Sequence, residues 1–454
     1  MPIAHPRLKL YYFAYLAALG AFSPYFGPFL QARGFDAWQL SVLMSLWYAS
    51  RALAPNLWNI GVARSAKPIQ WLRHGALATL LATLCFLPHW PFWGMVLVML
   101  VFASFYNALM PQYEALTLAH LRGETESYSS IRLYGSIGFL LVVLGYGALF
   151  REIGAGYLIV AMLPLVALLV WASYLSEYPP GEQSRINIAQ SKNTSSLDVS
   201  TSHEGANTPR QSEQSRLNLA QSKNTSSLDV SISQSSTLSR ALQPSIIALL
   251  FVGFCNQIAH GPLYVYFSIF LLRHGFDEFQ VGALWSLGVA CEIVAFTLMR
   301  RVLLRVATRP LVAFCLIAGA ARWAATGIWP DSGWVIALAQ MAHAVTFAAL
   351  HAAFMQIIVR DVSTRDLGFT QALFYSVASG LGGVASALIA GVLWETLGDQ
   401  ACFYAAAGFS LLALVAVPYL GSNTSGSNMP GSKPLDRKPD RYPKQPVHQA
   451  AAPR

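Results

Sequence analysis

The segment YFGPFLQARGFDAWQLSVLMSLWYASRALA, residues 25–54, has a counterpart later in the chain. A shift of 241 residues aligns it without a gap to YFSIFLLRHGFDEFQVGALWSLGVACEIVA, residues 266–295. Identical pairs occur along the whole alignment and include Tyr25 with Tyr266, Phe29 with Phe270, Gly34 with Gly275, Phe35 with Phe276, Asp36 with Asp277, Gln39 with Gln280 and Ser45 with Ser286. Internal similarity at a long, fixed distance predicts two halves of the chain whose first two helices are built alike.

The composition excludes an ordinary soluble protein. Hydrophobic residues make up 55% of the 454 residues and charged residues only 11%, with a mean hydropathy of +0.45. Soluble domains carry roughly 25% charged residues, so the charge that would cover a large soluble core is missing. The first apolar run, residues 8–30, is too long for the hydrophobic part of a cleavable signal peptide. We interpret it as the first membrane-spanning helix.

Apolar runs of spanning length recur along the chain, and in lipid such runs must be helical. The predicted spans lie near residues 8–31, 37–62, 74–90, 92–117, 128–150, 154–176, 244–271, 276–300, 308–329, 332–358, 366–394 and 398–420. The sequence therefore predicts an all-α membrane protein with twelve transmembrane helices in two six-helix halves.

Polar segments divide and follow these halves. The predicted organisation is a bundle over residues 1–177, a linker over 178–240, a second bundle over 241–420 and a tail over 421–454. We expect the linker and tail to be disordered because both are poor in apolar residues. The linker repeats QSRINIAQSKNTSSLDVS, from Gln183, as QSRLNLAQSKNTSSLDVS, from Gln214. We interpret this duplication as an insertion tolerated in a tether rather than as a docking motif.

The positive charges of the loops indicate an orientation. Most loop Lys and Arg residues fall on the side of the amino terminus, whereas the opposite loops carry only Arg33, Arg151 and Arg273. The positive-inside rule then places both termini in the cytoplasm, in a bacterial cytoplasmic (inner) membrane. This distribution also accounts for the net charge of +9, so we expect lipid rather than nucleic acid as the partner of these charges.

Ionisable side chains inside the predicted spans are the candidate functional groups, since each charge there costs about 2.5–3.5 kcal/mol to insert. They are Arg51, Glu114, Arg132, Glu292, Arg322, His343 and His351. We expect them to line an aqueous cavity or to pair with one another. The repeat aligns Arg51 with Glu292, so these opposite charges could face each other across the cavity.

Other interpretations of these charges stay open. Arg132 could reach the cytoplasmic surface with its long side chain. The two histidines could be neutral packing residues, and Arg51 with Glu292 could form a purely structural pair. No cysteine pair has metal-ligand spacing, and His343 and His351 lie eight residues apart, about 80° around an α-helix. We therefore expect no metal and no cofactor.

The stretch MPQYEALTLAHLRGETESYSSIRLYGSIGF, residues 110–139, carries a family resemblance. Its P-x-x-E-A and R-L-Y-G-S-I-G-F elements resemble helices 4 and 5 of the lactose permease branch of the major facilitator superfamily. The 3-phenylpropionate transporter-like group of this oligosaccharide:proton symporter branch is more similar still. LWSLGVACEIVAF, GAARWAATG and AQMAHAVTFAALHAAF extend the resemblance to the second half. Two parallel six-helix halves are also the arrangement of that superfamily.

The resemblance implies a secondary active transporter. It points to proton-coupled import of a small organic solute such as an aromatic carboxylate, with a carbohydrate:proton symporter as the alternative. Substrate binding is then expected at Glu114, Arg132, Phe139 and Glu292, and the coupling network at Arg51, Glu292, Arg322, His343 and His351. We expect a monomer. We also expect no enzymatic activity, since the chain has no H-E-x-x-H motif, nucleophile elbow or nucleotide-binding P-loop.

Two departures bear on the coupling mechanism. The branch has a proton-carrying Glu one turn after the histidine of helix 10, whereas this chain has Thr346. The loop after the second helix reads GVARSAKP, residues 61–68, and lacks the usual Asp. If protons are coupled, the carboxylates that remain for the task are Glu292 and Glu114.

Overall fold

The computed structural model describes residues 6–65, 67–121, 125–177, 243–363 and 366–421, which are helices and short connections. The predicted linker and all of the predicted tail except Gly421 lie outside these ranges. The first half contains α1 (Pro6–Ala32), α2 (Ala37–Ala63), α3 (Pro68–Leu84), α4 (Phe92–Leu121), α5 (Thr125–Ile153) and α6 (Leu158–Leu175), with a 3₁₀ turn over Ala155–Tyr157.

Several spans of the second half consist of more than one segment. The helices are α7 (Pro244–Ala259), α8 (Gly261–Arg273), α9 (Glu278–Arg305), α10 (Thr308–Ile328), α11 (Gly333–Met341), α12 (Leu350–Asp361), α13 (Leu367–Phe374), α14 (Gly382–Leu397) and α15 (Asp399–Ala413). A break at His260 separates α7 from α8. Short π-helical turns, Ala344–Ala349 and Tyr375–Leu381, join α11 to α12 and α13 to α14. A 3₁₀ turn over Leu414–Tyr419 continues α15.

The predicted architecture of twelve spans in two halves is confirmed. Within the described ranges, ten spans are both long and apolar enough to cross a membrane. The remaining two are α2, which has 27 residues but carries Arg51, and α3, which has 17 residues. Neighbouring spans bury Ser41, Ser45 and Ser50 of α2, whereas Arg51 is exposed to the cavity between the halves.

The repeat has a local structural cause at the start of α2 and α9. Asp36 and Asp277 each accept the backbone N–H of the glutamine three residues later, at 2.7 and 2.8 Å, and that glutamine closes a capping box. Gly34 and Gly275, two residues before each cap, have φ values of +85° and +83°. A left-handed glycine followed by a capping aspartate turns the chain and begins the next helix. The shared G-F-D-x-x-Q pattern therefore encodes the same turn in both halves.

The third span is displaced from its predicted position. It begins at Pro68 rather than near residue 74, because proline suits the first turn of a helix, and it ends at Leu84 rather than near residue 90. The following connection is held by Arg33, which donates to the carbonyls of Leu87 and Pro88 at 3.1 and 3.0 Å.

Side-chain hydrogen bonds join the two halves at one end of the bundle. We call the end where α1 begins the near end and the end where α1 finishes the far end. At the far end Tyr266 Oη lies 2.5 Å from Ser41 Oγ, and the backbone N–H of Trp38 donates to Glu395 Oε1 at 2.9 Å. Both contacts join the two halves. They close the far end, whereas the space between the halves is lined by the parts of α1, α2 and α4 that lie nearer to the near end.

Candidate functional site

A cavity of about 760 Å³ lies between the halves, and both halves line it. Its ionisable lining residues include most of the predicted set: Arg51, Glu114, Arg132, Glu292, His343 and His351. Phe139 also lines it, whereas Arg322 lies behind the wall and is only 3% exposed. The charged side chains of the spans thus face a shared interior rather than lipid, where each charge would cost free energy to insert.

The predicted Glu114 and Arg132 come together across α4 and α5. Arg132 Nη1 lies 3.6 Å from Glu114 Oε1, which is an ion-pair distance. Tyr128 bridges them, since its hydroxyl donates to Glu114 Oε1 at 3.1 Å and accepts from Arg132 Nη1 at 3.3 Å. Tyr128 was not among the residues predicted from the sequence, although its position four residues before Arg132 places it on the same face of α5.

A second cluster joins the cavity to the buried Arg322. Arg322 Nη1 donates to His343 Nδ1 at 3.1 Å and to Thr346 Oγ1 at 2.7 Å. Because Nδ1 accepts this bond, the hydrogen of a neutral His343 sits on Nε2. That nitrogen lies 3.7 Å from Glu292 Oε2. His343 therefore stands between the carboxylate in the cavity and the guanidinium behind the wall, and Thr346 accepts the second hydrogen bond of that guanidinium.

His260 is a buried ionisable group that was not among the residues predicted from the sequence. It lies at the break between α7 and α8, with its ring centroid 5.7 Å from that of His343 and 5.2 Å from that of Trp323. Its Nδ1 lies 2.8 Å from the carbonyl oxygen of Asn256, while its Nε2 has no hydrogen-bond partner in the described part of the chain. Its position inside the predicted span 244–271 could have identified it from the sequence, since an ionisable residue within a span is a candidate functional group.

The π-helical turn Ala344–Ala349 changes the relation of the two predicted histidines. Phe347 stacks between His343 and His351, with ring centroids 5.2 and 6.4 Å apart and rings within 14° of parallel. An α-helix would turn the two histidines about 80° apart, but the wider π turn brings the three rings into one row. Tyr375 Oη lies 3.4 Å from His351 Nε2.

The possible Arg51–Glu292 ion pair is not formed. Both residues line the cavity, but among the described residues no carboxylate oxygen lies within 4.0 Å of Arg51, and Glu292 lies beside His343 instead. The repeat correctly placed both residues on the central cavity, whereas their pairing depended on helix positions that the alignment does not contain.

Aromatic side chains form much of the remaining wall: Tyr12, Tyr15, Phe22, Trp47, Tyr48, Phe139, Tyr264, Trp285, Phe347, Phe354, Phe374 and Tyr375. Their rings offer apolar faces, and the tyrosines add hydroxyl groups. A cavity with aromatic walls and a few placed charges suits a small organic ligand that has an apolar body and a polar group.

Comparison with known proteins agrees with this architecture. The chain is 26% identical over 415 residues to the "Probable 3-phenylpropionic acid transporter" of Escherichia coli (strain K12), covering 90% of this chain and 95% of that protein. It is 26% identical over 174 residues to the "Maltose permease" of Geobacillus stearothermophilus, covering 38% and 44%.

Solved structures show the same fold. The nucleoside transporter NupG matches with a TM-score of 0.70 at 15% identity, over 91% of this chain and 98% of its own. A POT family transporter matches with a TM-score of 0.59 at 11% identity, over 91% and 93%. The model of the MFS_1 like family matches residues 5–405. The chain therefore belongs to the MFS_1 like family and is a multi-pass membrane protein that acts as a secondary transporter.

Proposed function

We propose that the protein imports a small aromatic carboxylate together with a proton across a bacterial cytoplasmic membrane. The observation that carries this proposal is the balance of charges around the cavity. Arg132 is paired with Glu114, and Glu292 lies beside His343, but Arg51 has no carboxylate within ion-pair distance in the described ranges. One cavity guanidinium is thus left for an anionic ligand, and the surrounding aromatic rings suit an aromatic body.

The proposed roles follow from the positions of the side chains. Glu114, Arg132, Phe139 and Glu292 contact the substrate, Arg51 is the cavity guanidinium left for its charge, and Arg322, His343 and His351 belong with Glu292 to the network that couples binding to proton movement. The similarity to a protein named as a 3-phenylpropionic acid transporter extends over nearly the whole chain and supports the same substrate class here.

Glu292 is the proposed proton carrier. Protonation removes its negative charge from the cavity, which leaves the cavity more positive and favours an entering carboxylate. Substrate and proton then each strengthen the binding of the other, as linkage requires. The histidine hydrogen directed towards Glu292 favours the ionised carboxylate once the substrate has left, so the proton is released after the anion.

The orientation and state of the molecule are part of the proposal. The loop charges support cytoplasmic termini, and the near end then faces the cytoplasm. Since contacts between the halves close the far end and the cavity lies nearer to the near end, we assign the described conformation to the inward-facing state of a monomeric carrier whose halves rock about the central site.

Uptake into proteoliposomes tests this proposal. We expect labelled 3-phenylpropionate to accumulate when the outside is made acidic, and to stop accumulating when a protonophore collapses the gradient. Empty liposomes are the control, because weak acids also cross lipid unaided. Uptake equal to that of empty liposomes under every gradient would contradict the proposal.

A carbohydrate is the second candidate. The observation that favours it is the Glu114–Arg132 pair, since an acid and a guanidinium side by side can bind neighbouring sugar hydroxyls, with Phe139 available for stacking. The similarity to the maltose permease covers less than half of either chain. Labelled maltose in the same liposomes separates the two candidates, and maltose accumulation without 3-phenylpropionate accumulation would establish this one.

A further inference from the structure

We propose that Arg51, and not Arg132, binds the carboxylate group of the substrate. This inference rests on the proposed function, because it presumes an anionic aromatic ligand in the central cavity. The carboxylate is then bound by a residue of α2, in the first half, and the role of Arg132 is to position Glu114.

The three guanidinium groups inside the predicted spans differ in their partners. Arg132 lies within ion-pair distance of Glu114. Arg322 is buried behind the cavity wall, where it donates to His343 and Thr346. Arg51 lines the cavity and, among the described residues, has no carboxylate within 4.0 Å. A carboxylate that binds Arg51 displaces no existing ion pair, whereas binding to Arg132 competes with Glu114.

The surroundings of Arg51 suit the rest of the ligand. The tyrosines that line the cavity together with Arg51 include Tyr15 on α1, Tyr48 on α2, Tyr264 on α8 and Tyr375 at the start of a π turn. We call these four residues the tyrosine cage. Its hydroxyls can donate to a carboxylate held by Arg51, and its rings can pack on the ligand ring.

The position of Arg51 between the halves links binding to movement. The next residue, Ala52, packs on Gly380 of the second half so closely that a Cβ added at Gly380 would lie 2.6 Å from the Ala52 Cβ. Tyr48 packs against Gly383 in the same way, with a corresponding distance of 2.4 Å. An anion bound by Arg51 within the tyrosine cage therefore touches both halves at a contact that must change when they rock.

The inference predicts a selective loss. A neutral isostere such as 3-phenylpropionamide keeps the aromatic ring but does not need a cationic partner. Replacing Arg51 by Gln should weaken binding of 3-phenylpropionate at least about tenfold and leave the affinity for the amide nearly unchanged. Arg51→Lys keeps a point charge but loses the planar fork, so it should retain part of the preference for the acid.

The experiment is equilibrium binding of both compounds to the full chain in lipid nanodiscs, with wild type, Arg51→Gln, Arg51→Lys and Arg132→Gln side by side. Arg151→Gln, which removes an exposed charge at the far end outside the cavity, is the matched control. Amide binding reports that a variant is folded. If Arg51→Gln loses the amide as well, the better-tolerated Arg51→Lys decides. A preference for the acid that is reduced but not lost in Arg51→Lys supports the inference, whereas a preference equal to that of the wild type overturns it.

The outcomes are distinct. Loss of acid binding in Arg51→Gln with the amide retained supports the inference. Unchanged acid binding in Arg51→Gln, or a loss of the acid preference in Arg132→Gln instead, overturns it while the proposed function stands. A wild-type protein that binds neither compound overturns the proposed substrate class, and the assignment of Arg51 falls with it.

Discussion

Tyr266 Oη lies 2.5 Å from Ser41 Oγ across the boundary between the halves, and the repeat produces a matching contact. A shift of 241 residues relates Tyr25 to Tyr266 and Ser41 to Gly282. Tyr25 packs against Gly282, where an added Cβ would lie 2.5 Å from its hydroxyl oxygen. Each half thus directs the same tyrosine at the same position of the other half. The far end is closed by a pseudosymmetric pair of contacts.

We predict that Gly282→Ala opens the far end. The added Cβ would also lie 2.6 Å from the backbone oxygen of Val143, and backbone cannot move aside as a flexible side chain can. Double electron–electron resonance measures the distance between spin labels at Tyr157 and Leu397, which are exposed on opposite halves. In Gly282→Ala this distance should be longer than in the wild type.

Gly408→Ala is the control for this prediction, because nothing lies within 4 Å of a Cβ added there. It should leave the distance distribution as in the wild type. A Gly282→Ala protein whose labels remain at the wild-type separation would show that the contact at Gly282 does not limit closure.

Glu292→Gln should abolish accumulation of substrate against a gradient. The amide cannot carry a proton, so the variant should still exchange labelled for unlabelled substrate across the membrane while losing uphill transport. Both activities are measured in proteoliposomes. Glu152→Gln, which changes an exposed ion pair with Arg151, is the control and should behave like the wild type. Uphill transport by Glu292→Gln at the wild-type level would show that Glu292 does not carry the coupled proton.

Tyr128→Phe should weaken substrate binding by a factor of about 3–10. The lost hydroxyl bridges Glu114 and Arg132, and a hydrogen bond of this kind contributes about 1 kcal/mol. Tyr134→Phe is a matched control on the same helix, since the ring of Tyr134 faces Lys9 and is retained. Binding to the purified protein measures both variants, and equal affinities would show that the bridge does not position the pair.

Thr346→Val should lower the free energy of unfolding by about 1–3 kcal/mol, because Arg322 loses a hydrogen-bond acceptor inside the protein. Arg322 Nε and Nη2 already have no hydrogen-bond partner within the described ranges, so the guanidinium has little left to replace Thr346. Thermal unfolding in detergent is the measurement. Thr83→Val is the control. It removes only a hydrogen bond within its own helix and should lower the free energy of unfolding by less. A decrease for Thr346→Val that is equal to or smaller than that for Thr83→Val would contradict this prediction.

The sequence alone was sufficient for the architecture and for most of the candidate site. Apolar runs of bilayer length predict the spans, because the backbone in lipid can satisfy its hydrogen bonds only within helices. The G-F-D-x-x-Q turn predicts equivalent helix starts at Asp36 and Asp277, since glycine conformation and capping are local. The cost of charge in lipid predicts that Arg51, Glu114, Arg132 and Glu292 face a shared interior.

Only the tertiary structure decided which of these groups meet. Glu292 lies beside His343 rather than Arg51, Arg322 lies behind the cavity wall, and Tyr128 bridges an ion pair. Helices surrounded by apolar neighbours and lipid have no amphipathic pattern strong enough to define their rotation. Rotation, the break at His260 and the π turn after His343 arise from packing between distant segments, and they decide which side chains come within hydrogen-bond distance.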